Sequence, residues 1–173
     1  MNYEKLRDEL IATSDGFLQS IEGTPEDRWL FSPSTDVWSV GETAEHTAAV
    51  FRGIQRLVST KLLEQPLPPG TSSPTTDEFI LGAMFDRNTR RNAPEPVLPK
   101  GRWTNQADLV AAFTESRNQL TAWLAEVTVD LRRYSSKHLA LGELDGVQWL
   151  IFAAAHTERH TRQILEFRRE AGF

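Results

Sequence analysis

The sequence predicts an all-α protein: a four-helix bundle with a long proline-rich crossover between the second and third long helices. Three observations carry that expectation. Apolar residues recur every three to four positions along four separate stretches, the period of a helix with one buried face. No stretch alternates apolar and polar residues as a half-buried strand would, and no internal repeat is visible. Seven of the nine prolines, from Pro66 to Pro99, fall between Gln65 and Lys100, so one long connection separates two helical halves. Four helices of about 20 residues would each be about 30 Å long, the proportions of a bundle. The chain of 173 residues is long enough to bury one core, and residues 1–173 are expected to form a single domain.

In chain order, the first helix lies over residues 2–22, with Tyr3, Leu6, Leu10, Phe17, Leu18 and Ile21 on one face and Gly23 as its stop. A short turn of helix follows in TPEDRW, with Thr24 as the N-cap and Pro25 at the first helical position. The second long helix begins inside DVWSVGETAEH and runs to about Leu63. Ser39 and Glu42 stand three apart, the spacing of a capping box, and Trp38 just before them is the apolar anchor of the helix start. The crossover holds one helical stretch, TTDEFILGAMFDRNTRR, with a second capping-box spacing at Thr75 and Glu78. A third long helix after Thr104 presents Leu109, Phe113, Ser116, Leu120, Trp123 and Val127 on one face. The fourth runs from about Leu144 to Ala171.

Composition excludes several functions. Hydrophobic residues make up 39% and charged residues 25%, with a net charge of −5. That acidic balance argues against nucleic acid as a partner, because phosphate binding needs surplus Lys and Arg. The basic groups Arg87, Arg90 and Arg91, and Arg168 and Arg169, have acidic neighbours and read as solvated helix surface. No cysteine is present, which removes disulfides, thiolate ligands and cysteine nucleophiles together. The charged N-terminus carries no signal segment and no apolar run is long enough for a membrane span, so no membrane partner is expected and the expected location is cytoplasmic.

Only four histidines occur, His46, His138, His156 and His160. On the fourth helix, Trp149, Phe152, Ala153, His156, His160, Gln163, Ile164 and Phe167 share one arc about 120° wide. His156 and His160 therefore sit in the middle of the apolar stripe. Two readings remain: two buried imidazoles satisfied by ordinary hydrogen bonds, or a pair sharing a cation. Residues four apart stack about 6 Å apart on one helical face, and neutral imidazoles are common ligands of zinc, nickel and iron. Burying two such rings without partners costs a few kcal/mol, which a metal removes. The string HTERH is not the HExxH signature of zinc proteases: Thr157 takes the glutamate's place, and Glu158 points away from the pair. For a third ligand the residues leave His46 and His138 open, with His46 slightly favoured. His138, in the loop before the fourth helix, also reads as a loop-fixing residue.

Two segments, WSVGETAEH at 38–46 and HLALGELDGVQWLIFAAAHTERHTRQI at 138–164, together resemble the DinB-like superfamily of metal-binding four-helix bundles. Similar proteins open the second helix with W-S-x-x-E-x-x-x-H and carry H-x-x-x-H-x-x-Q-I on the fourth. The chain departs from many of them at Leu139, where they have proline. The resemblance implies His46, His156 and His160 as ligands for a divalent metal, zinc or nickel, and the long crossover already expected. It gives Gln163 a role beside His160 or in lining the pocket, as a cofactor-binding residue. A supporting role for Glu42 beside the metal is a lesser expectation. Similar proteins include transferases that use small cellular thiols such as bacillithiol and mycothiol, and a few hydrolases.

The expectation that follows is a metal-dependent enzyme activating a low-molecular-weight thiol or a water for attack on a small-molecule electrophile. Transfer to a thiol is preferred, because no general base can be assigned. The alternative is a non-catalytic metal- or ligand-binding bundle with a structural or sensor role. Phe79, Ile80, Met84 and Trp103 in the crossover are candidates to cover the metal end, and a homodimer is an expected assembly.

Overall fold

The computed structural model describes residues 3–86, 92–103 and 105–173. It is mostly helical. In chain order the elements are α1 (Glu4–Ile21), α2 (Glu26–Trp29), α3 (Val40–Ser59), α4 (Asp77–Phe85), α5 (Gln106–Glu126), β1 (Ser135–His138), β2 (Gly142–Asp145) and α6 (Gly146–Ala171), with 3-10 turns at Lys61–Glu64, Glu95–Val97 and Leu131–Arg133. The expected helical segment at 87–91, the basic residues Arg87, Arg90 and Arg91, and Thr104 lie outside the described residues. No helix among those described is long and apolar enough to cross a membrane.

Four of the helices are long, and each packs on two others: α1 and α3 both pack against α5 and against α6. Their shared core is aromatic at its centre. The Phe113 ring of α5 lies 4.6 Å from that of Phe17 on α1 and 5.0 Å from that of Phe51 on α3, and all three are fully buried. Tilted ring pairs of this kind add about 0.5–1.5 kcal/mol each beyond their area burial. The start of α3 is fitted to α2 by Gly41. A Cβ there would stand 2.7 Å from Trp29 Nε1 and 2.8 Å from the Trp29 carbonyl oxygen, so only glycine lets that chain pass.

Several local expectations shift. Pro25, not Thr24, is the N-cap of α2, because the Thr24 hydroxyl turns back to donate to the Ile21 carbonyl at 2.7 Å. Helix α3 ends at Ser59 rather than Leu63, and the chain tightens into the 3-10 turn that buries Leu62. Thr76, not Thr75, caps α4, accepting from Phe79 N at 3.2 Å, while the Thr75 hydroxyl donates to the Leu141 carbonyl. The segment before α6 is not a plain loop but an antiparallel hairpin, with Ser135 opposite Asp145 and His138 opposite Gly142. Leu144 therefore belongs to a strand, and α6 starts at Gly146. Its N-cap is Asp145, in a reciprocal capping box with Gln148 at 2.9 Å both ways. Arg168 is not simply solvated: its guanidinium donates to the Ser20 and Glu22 carbonyls at the end of α1, satisfying groups the helix leaves open.

The described parts of the long connection between α3 and α5 are tied down at several points. Prolines 66, 68 and 69 have no N–H to give, but their neighbourhood has carbonyls to satisfy, and the Arg133 guanidinium takes those of Leu67, Pro68 and Thr71. Arg132 joins Asp77 at the start of α4, at 2.6 and 2.8 Å, and Asp145 at 3.1 Å. At the other end of α4, Arg159 of α6 donates to the Met84 and Asp86 carbonyls at 2.8 and 2.7 Å.

Candidate metal centre

Residue 46 is aimed by the start of α3. The Ser39 hydroxyl accepts from Glu42 N at 3.1 Å and the Glu42 carboxylate accepts from Ser39 N at 2.9 Å, which fixes the phase of the first turn. His46 follows on the buried face, with the Trp38 ring 5.0 Å away. Glu42 is engaged at the cap, as its spacing suggested, and the capping contacts give it no place at the histidines.

The imidazoles of His46, His156 and His160 come together, all buried. His156 Nε2 stands 3.2 Å from Nε2 of His46 and 3.2 Å from Nε2 of His160. The other nitrogens are assigned by their neighbours. His46 Nδ1–H donates to the Val97 carbonyl at 2.9 Å, and a carbonyl can only accept. His160 Nδ1–H donates to Gln163 Oε1 at 3.0 Å. In the neutral rings both outer Nε2 atoms then carry lone pairs, and both face His156 Nε2. One proton on His156 Nε2 can serve only one of the two lone pairs that face it, so the two outer rings compete for it.

A cation resolves that conflict. The edge of a nitrogen tetrahedron around zinc, at 2.0–2.1 Å per bond, is about 3.3 Å, close to the observed separations. Burial holds the His156 imidazole well below its usual pKa, and a proton there would also be repelled by any charge on the neighbouring His160, His46, Arg159 and His138. Burial also lowers His46; the hydrogen bond to Val97 partly offsets this, and nearby Arg102 adds to the lowering. Neutral imidazole is the form that binds metals, so the group is chemically fit to hold a divalent ion.

Sequence reasoning missed the support behind His46. Glu45, adjacent on α3 and 7% exposed, accepts from the backbone N–H of Lys100 at 2.7 Å, Gly101 at 2.9 Å and Arg102 at 3.2 Å. The Arg102 guanidinium donates to the same carboxylate at 2.7 Å and to the carbonyls of Leu98 and Pro96. Gly101 supplies the left-handed turn, φ +70°, that converges these N–H groups on one anion. Burial pushes the Glu45 carboxyl up, but the three backbone donors and Arg102 outweigh it, and the net shift is downward. The carboxylate thus clamps the 96–102 segment, and the clamp sets the Val97 carbonyl on His46. No residue pattern signalled this, since most donors are main chain.

The remaining candidates take separate places. His138 is not in the three-ring group. Its Nδ1 accepts from the N–H of Ala140 and Leu141, both at 3.1 Å, and its ring packs on Phe152 at 4.7 Å and Trp149 at 5.3 Å. That is the loop-fixing role. Glu158 pairs with Arg162 at 2.6 Å. The three histidines and Gln163 line a cleft of about 1300 Å³. Of the four crossover residues expected to cover it, only Met84 does, joined by Pro94, Val97 and Leu98. Ile80 belongs to the core, Trp103 packs against the core, and Phe79 faces solvent, 54% exposed.

The comparisons with known proteins agree in extent with this arrangement. The chain is similar to the uncharacterized protein YuaE of Bacillus subtilis (strain 168), 23% identical over 150 residues that cover 87% of this chain and 89% of YuaE. A family model described as the DinB superfamily matches residues 9–164, a span that contains all three histidines, and on that match the chain belongs to the DinB superfamily.

Proposed function

We propose that the protein is a metal-dependent enzyme in which His46, His156 and His160 hold a divalent ion, zinc or nickel. The reaction proposed is attack of a low-molecular-weight thiol, or of water, on a small electrophile. The observation that carries it is the convergence of three buried imidazoles at the wall of a wide cleft. A bound metal would supply Lewis acidity, lowering the pKa of a coordinated thiol or water. The chain's own part is orientation. The Val97 carbonyl fixes the His46 tautomer, Gln163 fixes that of His160, and the Glu45 clamp holds the former in place.

Thiol transfer is preferred over hydrolysis. Glu158, Glu42 and Glu45 are each engaged elsewhere, and although Asp36, Glu166 and Glu170 line the cleft, a coordinated thiol needs no general base, since the metal itself deprotonates it. The second reading is a non-catalytic metal- or ligand-binding bundle. The cleft favours the enzyme, because a structural metal site is normally closed by a fourth protein ligand. In the same reading residues 1–173 form one domain, the four long helices are a four-helix bundle, and the proline-rich crossover roofs the cleft. A cytoplasmic location and a homodimer complete it.

Elemental analysis of untagged protein tests the metal. About one zinc or nickel per chain is expected in the wild type and none in His156→Ala; equal metal in both removes the proposal. Turnover of electrophiles with bacillithiol, mycothiol or glutathione then separates enzyme from binding protein.

A further inference from the structure

The cleft extends well beyond the three imidazoles, and its two ends differ. Helices α3 and α6 run antiparallel along it: His46, near the start of α3, meets His156 and His160 in mid-α6. Leu62, just past the end of α3, approaches within 3.0 Å of the Cβ position of Gly146 at the start of α6. The cleft wall from His156 towards the α6 N-terminus is therefore Phe152 and Trp149, faced by Val50, Ile54 and Leu57 of α3. His138, packed on both aromatic rings, stands at the far end. In the other direction the lining is mixed, with Gln163, Glu166, Glu170 and Asp36 beside Phe167 and Trp38. Gly53 lies in the apolar arm, and a Cβ there would meet nothing within 4 Å.

We propose that this apolar arm is a subsite for a hydrocarbon chain or ring attached to the reacting group, so that the electrophile is a medium-length apolar molecule. From Trp149 to His156 the helix rises about 10 Å, the reach of about eight methylenes. The proposal rests on the reading that the three histidines hold a metal.

Isothermal calorimetry on the zinc-loaded protein tests both, using straight-chain hydroxamates, whose head group chelates metals, from acetohydroxamate to dodecanohydroxamate. Affinity should rise up to about 4-fold per added methylene, the full transfer value, and level off near eight carbons. In Gly53→Leu, whose new side chain fills the arm, the ratio of octano- to acetohydroxamate affinity should collapse towards one. Leu57→Trp plugs the same arm from the next turn and should do likewise. If acetohydroxamate does not bind, the metal reading fails and this one with it. If acetohydroxamate binds but chain length has no effect, or the effect survives both plugs, the arm is not the subsite and the metal reading stands.

Discussion

Glu45 and Arg102 are joined 57 positions apart in sequence, Arg102 Nη1 donating to Glu45 Oε1 at 2.7 Å. The pair pins the chain segment whose Val97 carbonyl orients the ring of His46. Partners that orient a metal-binding imidazole typically matter 10- to 100-fold in affinity.

Glu45→Gln should therefore weaken zinc binding by about 10- to 100-fold, read by competition with a chromophoric chelator. Arg102→Lys, which cannot span the carboxylate and the carbonyls of Leu98 and Pro96 together, should weaken it in the same direction. Unchanged affinity in both would detach the clamp from the centre.

Acid should destabilise the metal-free protein early. His46 and His156 are held below their usual pKa of 6.5, so the native state resists a proton that the unfolded chain accepts. Their contribution is present above about pH 6.5 and is lost as pH falls from there towards their native values. The urea midpoint of the metal-free protein should decline from pH 7.5 to 5.5, and a level midpoint would contradict the assignment. Glu45 acts with the same sign at lower pH, its stabilisation present above 4.5 and lost below as the carboxyl takes up its proton.

Two glycines of α3 should respond oppositely to alanine. Gly53→Ala meets open space and gains about 1 kcal/mol of helix propensity, raising the Tm by about 2–4 °C. Gly41→Ala would push a methyl into the Trp29 backbone and indole, and the Tm should fall despite the same propensity gain. Thermal melts followed by circular dichroism distinguish the two.

Arg132→Ala should cost about 2 kcal/mol, the scale of hydrogen bonds to charged groups. It strips both Asp77 and the buried Asp145 of a donor. Hydrogen exchange should quicken first in α4, whose start Arg132 holds.

The long helices were legible because each repeats its buried residues over several turns: Leu10, Phe17 and Ile21 in α1, Leu109, Phe113 and Leu120 in α5. The facing of His46 was legible only in part: the residues favoured it slightly over His138, and the Ser39–Glu42 box fixed where its helix starts. The hairpin was not, because strands of four residues leave too short an alternation to separate from a loop. Thr75 misled for a different reason: its hydroxyl is drawn to the hairpin turn, so the cap passes to Thr76. Glu45 was invisible in principle, since a carboxylate bound by three main-chain N–H groups selects a backbone shape and not a side-chain identity.

The connection from α3 to α5 is fastened at both ends, by Arg133 on Leu67 and Pro68 and by Glu45 on residues 100–102. Between those fasteners the chain still reaches the centre, because the Val97 carbonyl bonds His46, and Arg132 and Arg159 hold the two ends of α4. A graft into this connection would therefore have to leave residues 95–102 in place to keep the ring of His46 oriented.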